Sequence, residues 1–184
     1  MAGPRPDSAP PALRAPRSIL DLVNYQLHQI ESRSAGLVTR ICEAEFGITR
    51  REWRFVALLA LLGEQSPSQL AEHATLDRSR TSKALASLRQ RALIESIAVA
   101  GDARRHHVRL SPAGRALYAQ LFPRVVRVNL ALLAGLSERE VAQLARLLAR
   151  LHDASRELPQ AQLVQARIDR RGGGTRRRWD ARAR

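Results

Sequence analysis

The sequence predicts a mainly α-helical fold that carries one small β-hairpin. Apolar residues recur three or four positions apart over six segments, which is the spacing of amphipathic helices. Three of these segments open with a capping box, in which Ser or Thr is followed three residues later by Glu or Gln. The segments IESIAVA and RRHHVRL alternate around a turn at Gly101-Asp102-Ala103-Arg104, which predicts two antiparallel strands. This order of elements predicts a winged helix-turn-helix with six helices and a β-hairpin.

Length and charge limit the class of protein. A chain of 184 residues that is 45% apolar suits one compact domain of about 140 residues with tails. The net charge of +14 and the pI near 11.6 favour a polyanionic partner. Only Lys83 among the 31 basic residues is a lysine, and a general arginine bias of the genome explains this equally well. The position of an arginine is therefore more informative than the number of arginines.

Composition also indicates where the chain works. The single Cys42 excludes an internal disulfide framework and is consistent with a reducing compartment. No signal peptide or long apolar run is visible, so we expect a cytoplasmic protein, associated with the nucleoid and not with a membrane. The Pro-rich residues 1–17 are expected to be a disordered arm, residues 18–158 the folded domain, and residues 159–184 a disordered Arg-rich tail.

The predicted helices have recognisable starts. They are expected from Ser18 to near Gly47, Thr49 to Gly63, Ser66 to about Ala74, Arg78 to about Arg91, and onward from Ser111 and from Ser137. The second is apolar nearly all round, which predicts the central buried helix. Pro123 should kink or break the fifth helix. The sixth carries one apolar stripe, which needs a partner: Val141, Leu144, Leu147, Leu148 and Leu151.

The fourth helix and the hairpin together predict a DNA-binding surface. Asp77 is a good N-cap, and Ala84, Leu85 and Leu88 form the inward face. We expect the remaining faces of this helix to carry Arg78, Arg80, Thr81, Lys83 and Ser87. A helix fits the major groove of a duplex, and a slender hairpin can place an arginine in the minor groove. We therefore expect double-stranded DNA as the partner.

These features resemble the MarR family of bacterial transcription regulators over about residues 18–157. The wing motif of that family is met by Asp102, Arg104, Val108, Leu110, Ser111 and Gly114. The recognition helix is similar through Asp77, Arg78, Ser79, Ser82, Lys83, Leu85 and Leu88. Arg80 and Thr81 depart from the small or apolar residues common there. Ala92 replaces the usual Gly, so the helix exit is not expected to be a left-handed cap.

The resemblance implies a homodimeric repressor on a pseudo-palindromic operator, with half-sites about 10 bp apart. Residues 18–46 and 112–157 would be dimerisation helices, and residues 49–110 the DNA-binding lobe. Arg104 would enter the minor groove, held by Asp102, with a plain surface salt bridge as the alternative. The apolar stripe of the sixth helix has an intramolecular core as its alternative. The implied DNA contacts are Arg78, Ser79, Arg80, Thr81, Ser82, Lys83, Asp102, Arg104 and Arg105.

The resemblance also implies release from DNA when a small, often aromatic, carboxylate enters a cleft between the dimerisation helices and the DNA-binding lobe. The candidate residues for binding this effector are Asn24, His28, Arg51 and Trp53. The alternative is that His28 is a hydrogen-bonded histidine of the interface and Trp53 a tryptophan of the core. The segments LDLVNYQLHQIES, FGITRREWR and LDRSRTSKAL are similar to the branch that represses nicotinate degradation, whose effector is a hydroxylated pyridine carboxylate. Regulators of other aromatic pathways could share these segments.

Four other interpretations are less well supported. Cys42 raises the alternative of a redox-sensing regulator, but it lies near the end of the first helix, and a buried inert thiol is favoured. His106 and His107 are adjacent strand residues that face opposite ways, so no metal is expected. No catalytic motif or cofactor site is present, which argues against an enzyme. A non-specific architectural protein that binds nucleic acid through its basic tail remains the main alternative.

Overall fold

The computed structural model describes residues 12–99 and 102–159, and these fall into two compact units divided after Gly135. Most of the predicted Pro-rich arm and nearly all of the Arg-rich tail lie outside the described residues. Residues 12–17, at the end of the arm, are exposed and include a turn closed by a hydrogen bond from the Ala15 N–H to the Ala12 carbonyl.

The predicted fold of six helices and a hairpin is confirmed. The first unit contains a 3₁₀ turn Ile19–Asp21, α1 Val23–Arg40, a π-helical turn Ile41–Glu45, α2 Arg50–Leu62, α3 Pro67–His73, α4 Arg78–Gln90, β1 Ile94–Val99, β2 Asp102–Leu110 and α5 Pro112–Leu133. The second unit contains α6 Glu138–Arg156. Taken singly, none of the helices in the described ranges is long and apolar enough to cross a membrane; α5 and α6 reach that length and hydropathy only when counted together.

The sequence predicts one continuous first helix from Ser18 to near Gly47, but the structure divides this segment. A capping box between Ser18 and Asp21 closes a separate 3₁₀ turn, and Leu22 is then extended, with ψ 126°. α1 follows and passes into the π-helical turn, after which the Ile48 N–H donates to the Cys42 carbonyl at 3.0 Å. The interruption at Leu22 arises because Ser18 and Asp21 satisfy each other within one turn.

The capping boxes predicted for three later helices are confirmed. Thr49 with Glu52 begins α2, Ser66 with Gln69 begins α3, and Ser137 with Glu140 begins α6. In α2, for example, the Glu52 carboxylate accepts from the Thr49 N–H at 2.7 Å. These caps satisfy N–H groups that have no partner inside a helix, and they fix where each helix starts.

The core of the first unit is built around α2, as predicted. Trp53, Phe55, Val56 and Leu59 are buried on it. Buried residues from the neighbouring elements complete this core: Ile48, Leu70, Ala84, Leu85, Leu88, Ile94, Val108, Leu110 and Leu121. α2 is not buried on all sides, since Leu61 is 78% exposed and Arg51 and Arg54 are exposed as well.

Strands β1 and β2 form an antiparallel hairpin, called the wing below, from Ile94 opposite Leu110 to Val99 opposite Asp102. The register shifts between Ala98 and Val99, and β2 already begins at Asp102. Most of the predicted turn at residues 101–104 therefore belongs to the strand. Gln65 adds a short bridge to the other edge of β2, exchanging backbone hydrogen bonds with Val108 at 3.0 and 2.8 Å.

Two helices differ from the rest in burial. α1 and α6 contain no buried residue, and three of the five residues of the predicted stripe on α6, Leu147, Leu148 and Leu151, are 42–47% exposed. α5 runs without a break through Pro123, so of the two predicted outcomes the break is wrong.

Candidate functional site

The start of α4 presents positive charge to solvent. The Asp77 carboxylate accepts a hydrogen bond from the Arg80 N–H at 2.8 Å, as an N-cap does. A second oxygen of Asp77 lies 3.2 Å from Arg80 Nε, which orients that side chain. Five of the predicted DNA-contacting residues are exposed here: Arg78, Ser79, Arg80, Ser82 and Lys83.

Thr81 is an exception, and the expectation that it faces outward is wrong. It is 2% exposed, and its hydroxyl finds no hydrogen-bond partner within the described ranges. The reason is helical geometry, because Thr81 precedes the buried Ala84 and Leu85 by three and four positions and so shares their face. Thr81 is therefore a core residue of α4 and is not placed to contact a duplex.

The exit of α4 is a left-handed cap, contrary to the expectation from its alanine. Ala92 has φ 53°. Its N–H donates to the Arg89 carbonyl, and the Leu93 N–H donates to the Leu88 carbonyl, both at 2.9 Å. This is the pair of bonds of a Schellman motif. An L-residue pays a conformational cost there that glycine avoids.

Ser111 and Gly114 tie this exit to the start of α5. Ser111 Oγ donates to the Ala92 carbonyl at 2.6 Å, and the Gly114 N–H donates to Ser111 Oγ at 3.0 Å. A Cβ on Gly114 would lie 2.0 Å from the Leu93 carbonyl oxygen. The motif residues Ser111 and Gly114 thus hold α4, the wing and α5 together.

Arg109 fixes the base of the wing. Its guanidinium pairs with Glu95 across the hairpin at 3.0 Å and with Glu64 at 3.4 Å. The hydrogen bond to Glu95 and the Glu64 carboxylate raise the pKa of Arg109 above its ordinary value, although partial desolvation opposes this. Asp102 and Arg104 lie on β2, as does Arg105, but the side chains of all three are outside the described part of the structure.

Glu52 connects α2 to α4. Burial of this carboxylate, which is 5% exposed, opposes its ionisation, but hydrogen bonds from Ser87 and Thr49 and the charge of Arg91 outweigh that effect. The pKa of Glu52 is therefore lowered from 4.5. Arg91 also donates to the Gly47 carbonyl at 2.6 Å. These contacts link the start of α2 to the second half of α4.

An open cavity of about 500 Å³ lies beside α2 and is called the cleft below. Three aromatic rings are stacked at it: Trp53 and Tyr118 have centroids 5.8 Å apart, and Tyr118 and Phe122 5.2 Å apart. Two arginines also line it, Arg50 and Arg54. The rest of the wall is mostly apolar: Ala35, Val38, Ala57, Leu58 and Leu61, with Ser34.

The structure does not bring the four predicted effector residues together. Trp53 lines the cleft, but Asn24 and His28 line a separate hollow of about 460 Å³ near the start of α1. Arg51 lines a third hollow, together with Arg50 and Arg54. Only Arg50 and Arg54 also line the cleft, because a helix turns by about 100° per residue and Arg51 points away from it.

Sequence reasoning missed Tyr118 and Phe122. They are four positions apart on α5, so they share one face, and this spacing was the signal that could have identified them. Cys42 is fully buried, and burial raises the pKa of its thiol to about 11, which suits the inert-thiol interpretation.

The profile of the MarR family matches residues 46–105, from the end of the π-helical turn to the wing. A probable transcriptional regulator from Pseudomonas aeruginosa shares 31% identity, over 73% of this chain and 99% of that chain, with a TM-score of 0.63. None of the curated protein sequences matches the chain significantly.

Two further solved structures share the fold. MarR from E. coli in its apo form is 20% identical over 71% of this chain and 96% of its own, with a TM-score of 0.63. BpsR from Bordetella bronchiseptica is 20% identical over 76% of this chain and 99% of its own, with a TM-score of 0.66. The BpsR structure concerns regulation of its DNA binding by 6-hydroxynicotinic acid.

Proposed function

Since the chain belongs to the MarR family of transcriptional regulators, we propose that it is a homodimeric repressor that an aromatic carboxylate releases from its operator. The family assignment makes it a DNA-binding regulator. The repressor role, the dimer and the effector are the proposal. The observation that supports it best is that the first unit combines an exposed basic start of α4 with a cleft lined by aromatic rings and arginines.

DNA contact is assigned to two parts of the first unit. Arg78, Arg80 and Lys83 provide charge at the start of α4, where a recognition helix enters the major groove. Ser79 and Ser82 can bond base edges or phosphates. On the wing, Arg104 is proposed for the minor groove, with Asp102 beside it and Arg105 on the phosphates.

The dimer is proposed because two helices keep apolar residues at the surface. On α1, Leu27, Ile30 and Leu37 are 41–51% exposed, and α6 exposes its stripe. Such patches on an isolated chain indicate an interface. A two-fold dimer would present two α4 helices to successive major grooves of a pseudo-palindrome.

An aromatic acid fits the cleft in size and chemistry. The volume of about 500 Å³ lies within the range of small-molecule sites. Stacked rings favour a planar ligand, and the guanidinium groups of Arg50 and Arg54 favour a carboxylate. BpsR, whose DNA binding is regulated by 6-hydroxynicotinic acid, supports a hydroxylated pyridine carboxylate as the first candidate.

The test is fluorescence anisotropy on a duplex from its own promoter region and on a scrambled duplex, in about 150 mM salt, with and without aromatic acids. We expect a preference of about 1,000-fold for the native duplex, reversed by one acid. Arg80→Ala should reduce this preference, whereas Arg127→Ala, an exposed arginine on α5, should leave it unchanged. Equal binding to every duplex, with random-sequence selection finding no site, would support the architectural alternative instead.

A further inference from the structure

One arginine of the cleft also holds the helix-turn-helix. Arg54 lines the cleft from α2, and its Nη1 donates to the backbone carbonyl of Ala74 at 3.0 Å. Ala74 is the C-cap of α3, and α4 begins four residues later. Within the first unit, a single side chain thus reaches from the candidate effector site to the turn that leads into the recognition helix.

That turn is under backbone strain. Thr75, the residue after Ala74, has φ 54°, a conformation that a β-branched residue rarely adopts. The turn is closed by bonds from the Thr75 N–H to the Glu72 carbonyl and from the Leu76 N–H to the Ala71 carbonyl. Asp77, which caps α4, follows directly. A strained backbone persists only where its surroundings hold it, so the Arg54 bond helps to set the start of α4.

We propose that Arg54 is the coupling residue of the switch: an aromatic carboxylate in the cleft takes its guanidinium from Ala74 and thereby loosens the turn before α4. This inference rests on the proposed function and specifies how its cleft acts on DNA. The effector's own carboxylate is the competing acceptor, and only hydrogen bonds are exchanged.

The competition favours the ligand for a simple reason. Arg54 gives Ala74 one hydrogen bond to a neutral carbonyl, whereas a carboxylate accepts two parallel charge-assisted bonds from a guanidinium. Turning the planar group toward the cleft withdraws its Nη1 from Ala74. The turn then loses a restraint, and the basic start of α4 loses its fixed direction.

The neighbouring arginines do not have this connection. Arg50 lines the cleft, but its Nη1 is paired with Glu31 on α1 at 2.6 Å. Arg51 lies between them in sequence and does not line the cleft. These two residues therefore provide matched controls on the same helix.

The experiment measures the free, full-length protein, so that it does not depend on knowing the operator. The probe is 6-hydroxynicotinic acid, with benzoate as a second acid. Binding is followed by Trp53 fluorescence in a Trp179→Phe background, and amide hydrogen exchange is followed at Thr75 and Leu76. On saturation with acid, we expect exchange at these two amides to speed up by about 5-fold or more, within the usual range of coupling between sites.

Variants separate coupling from simple binding. Arg54→Ala should show fast exchange at the turn without acid and no further response to acid, and Arg54→Lys should respond weakly because it lacks the planar fork. Arg50→Ala should bind acid less tightly but keep the full response at saturation. Arg51→Ala should behave as the wild type. Circular dichroism on each variant confirms the helical content.

Each outcome decides one question. If acid quenches Trp53 but exchange at Thr75 and Leu76 does not change, Arg54 is not the coupling residue and the proposed function still stands. The same conclusion follows if Arg54→Ala retains the wild-type response at the turn. If neither acid, nor any other aromatic acid in a panel, quenches Trp53, the effector part of the proposed function fails and this inference fails with it.

Discussion

The DNA-binding lobe of residues 49–110 and the helices α1 and α6 differ in how far they bury their apolar side chains. In the lobe, Phe55, Leu70 and Leu88 are fully buried, and each helix start is capped by its own side chains. α1 and α6 are longer than α2, α3 and α4, yet neither buries a residue. The lobe is complete within one chain, whereas the apolar stripes of α1 and α6 are not.

This difference in burial indicates that the lobe and the exposed helices have different roles. The buried core beneath the lobe keeps α4 and the wing in one arrangement, which DNA recognition needs. Helices with exposed leucines gain stability only when another surface covers them. We expect substitutions in the lobe to act on folding, and substitutions on the α6 stripe to act on association.

The largest effect is expected on the α6 stripe. Leu147→Glu with Leu151→Glu places two charges in the proposed interface and should weaken the dimer by about 3 to 5 kcal/mol. Light scattering after size exclusion measures the mass. The matched control, Ala142→Glu with Ala149→Glu, adds the same charge on the opposite face and should keep the wild-type mass. A dimer that survives the leucine substitutions would place the interface elsewhere.

The next effect is expected where the wing joins α5. Gly114→Ala forces a Cβ to within 2.0 Å of the Leu93 carbonyl oxygen, so the free energy of unfolding should fall by about 3 kcal/mol. Urea denaturation measures it. Gly135→Ala, where no atom lies within 4 Å, should change it by less than about 0.5 kcal/mol. Equal values for the two variants would show that Gly114 is not a close contact.

A smaller effect concerns pH and Glu52. Because the folded pKa is lowered from 4.5, the ionised carboxylate contributes stability above pH 4.5, and this contribution is lost as pH falls through the folded pKa. Glu52→Gln should cost about 1 kcal/mol at pH 7 and then lose less stability than the wild type on acidification. Glu140→Gln, in the exposed capping box of α6, should have a weaker effect. Parallel pH curves for wild type and Glu52→Gln would contradict the assignment.

The smallest effect is expected at the exit of α4. Ala92→Gly relieves the left-handed alanine and should raise the free energy of unfolding by about 0.5 to 1 kcal/mol. Ala86→Gly, exposed within α4, should lower it by a similar amount. Thermal unfolding of the pair shows whether the sign of the change follows backbone conformation.

The parts of the fold that the sequence predicts well are local ones. Thr49 with Glu52 and Ser137 with Glu140 act within one helical turn, so the residues that make the cap are adjacent in sequence. Asp77 caps α4 for the same reason. Periodicity also located the buried face of α4, except at Thr81, whose polarity suggested solvent although its position lies on that face.

The cleft was harder to predict because its walls come from distant segments. Tyr118 and Phe122 on α5 meet Trp53 on α2 only after the chain has folded. To predict that Arg50 and Arg54, and not Arg51, line the cleft, one must know how α2 is rotated about its axis, and this rotation depends on packing. The bond from Arg54 to Ala74 joins residues twenty positions apart and leaves no pattern in the sequence.

The most direct test of the whole account is sedimentation velocity of the protein on a labelled duplex from its own promoter region. We predict that the label sediments with two chains per duplex, and that a saturating aromatic acid returns it to the rate of the free duplex while the protein remains a dimer. A complex with one chain per duplex would contradict the proposed homodimer. A complex that forms equally well on a scrambled duplex and persists in saturating acid would contradict the proposed acid-released repressor.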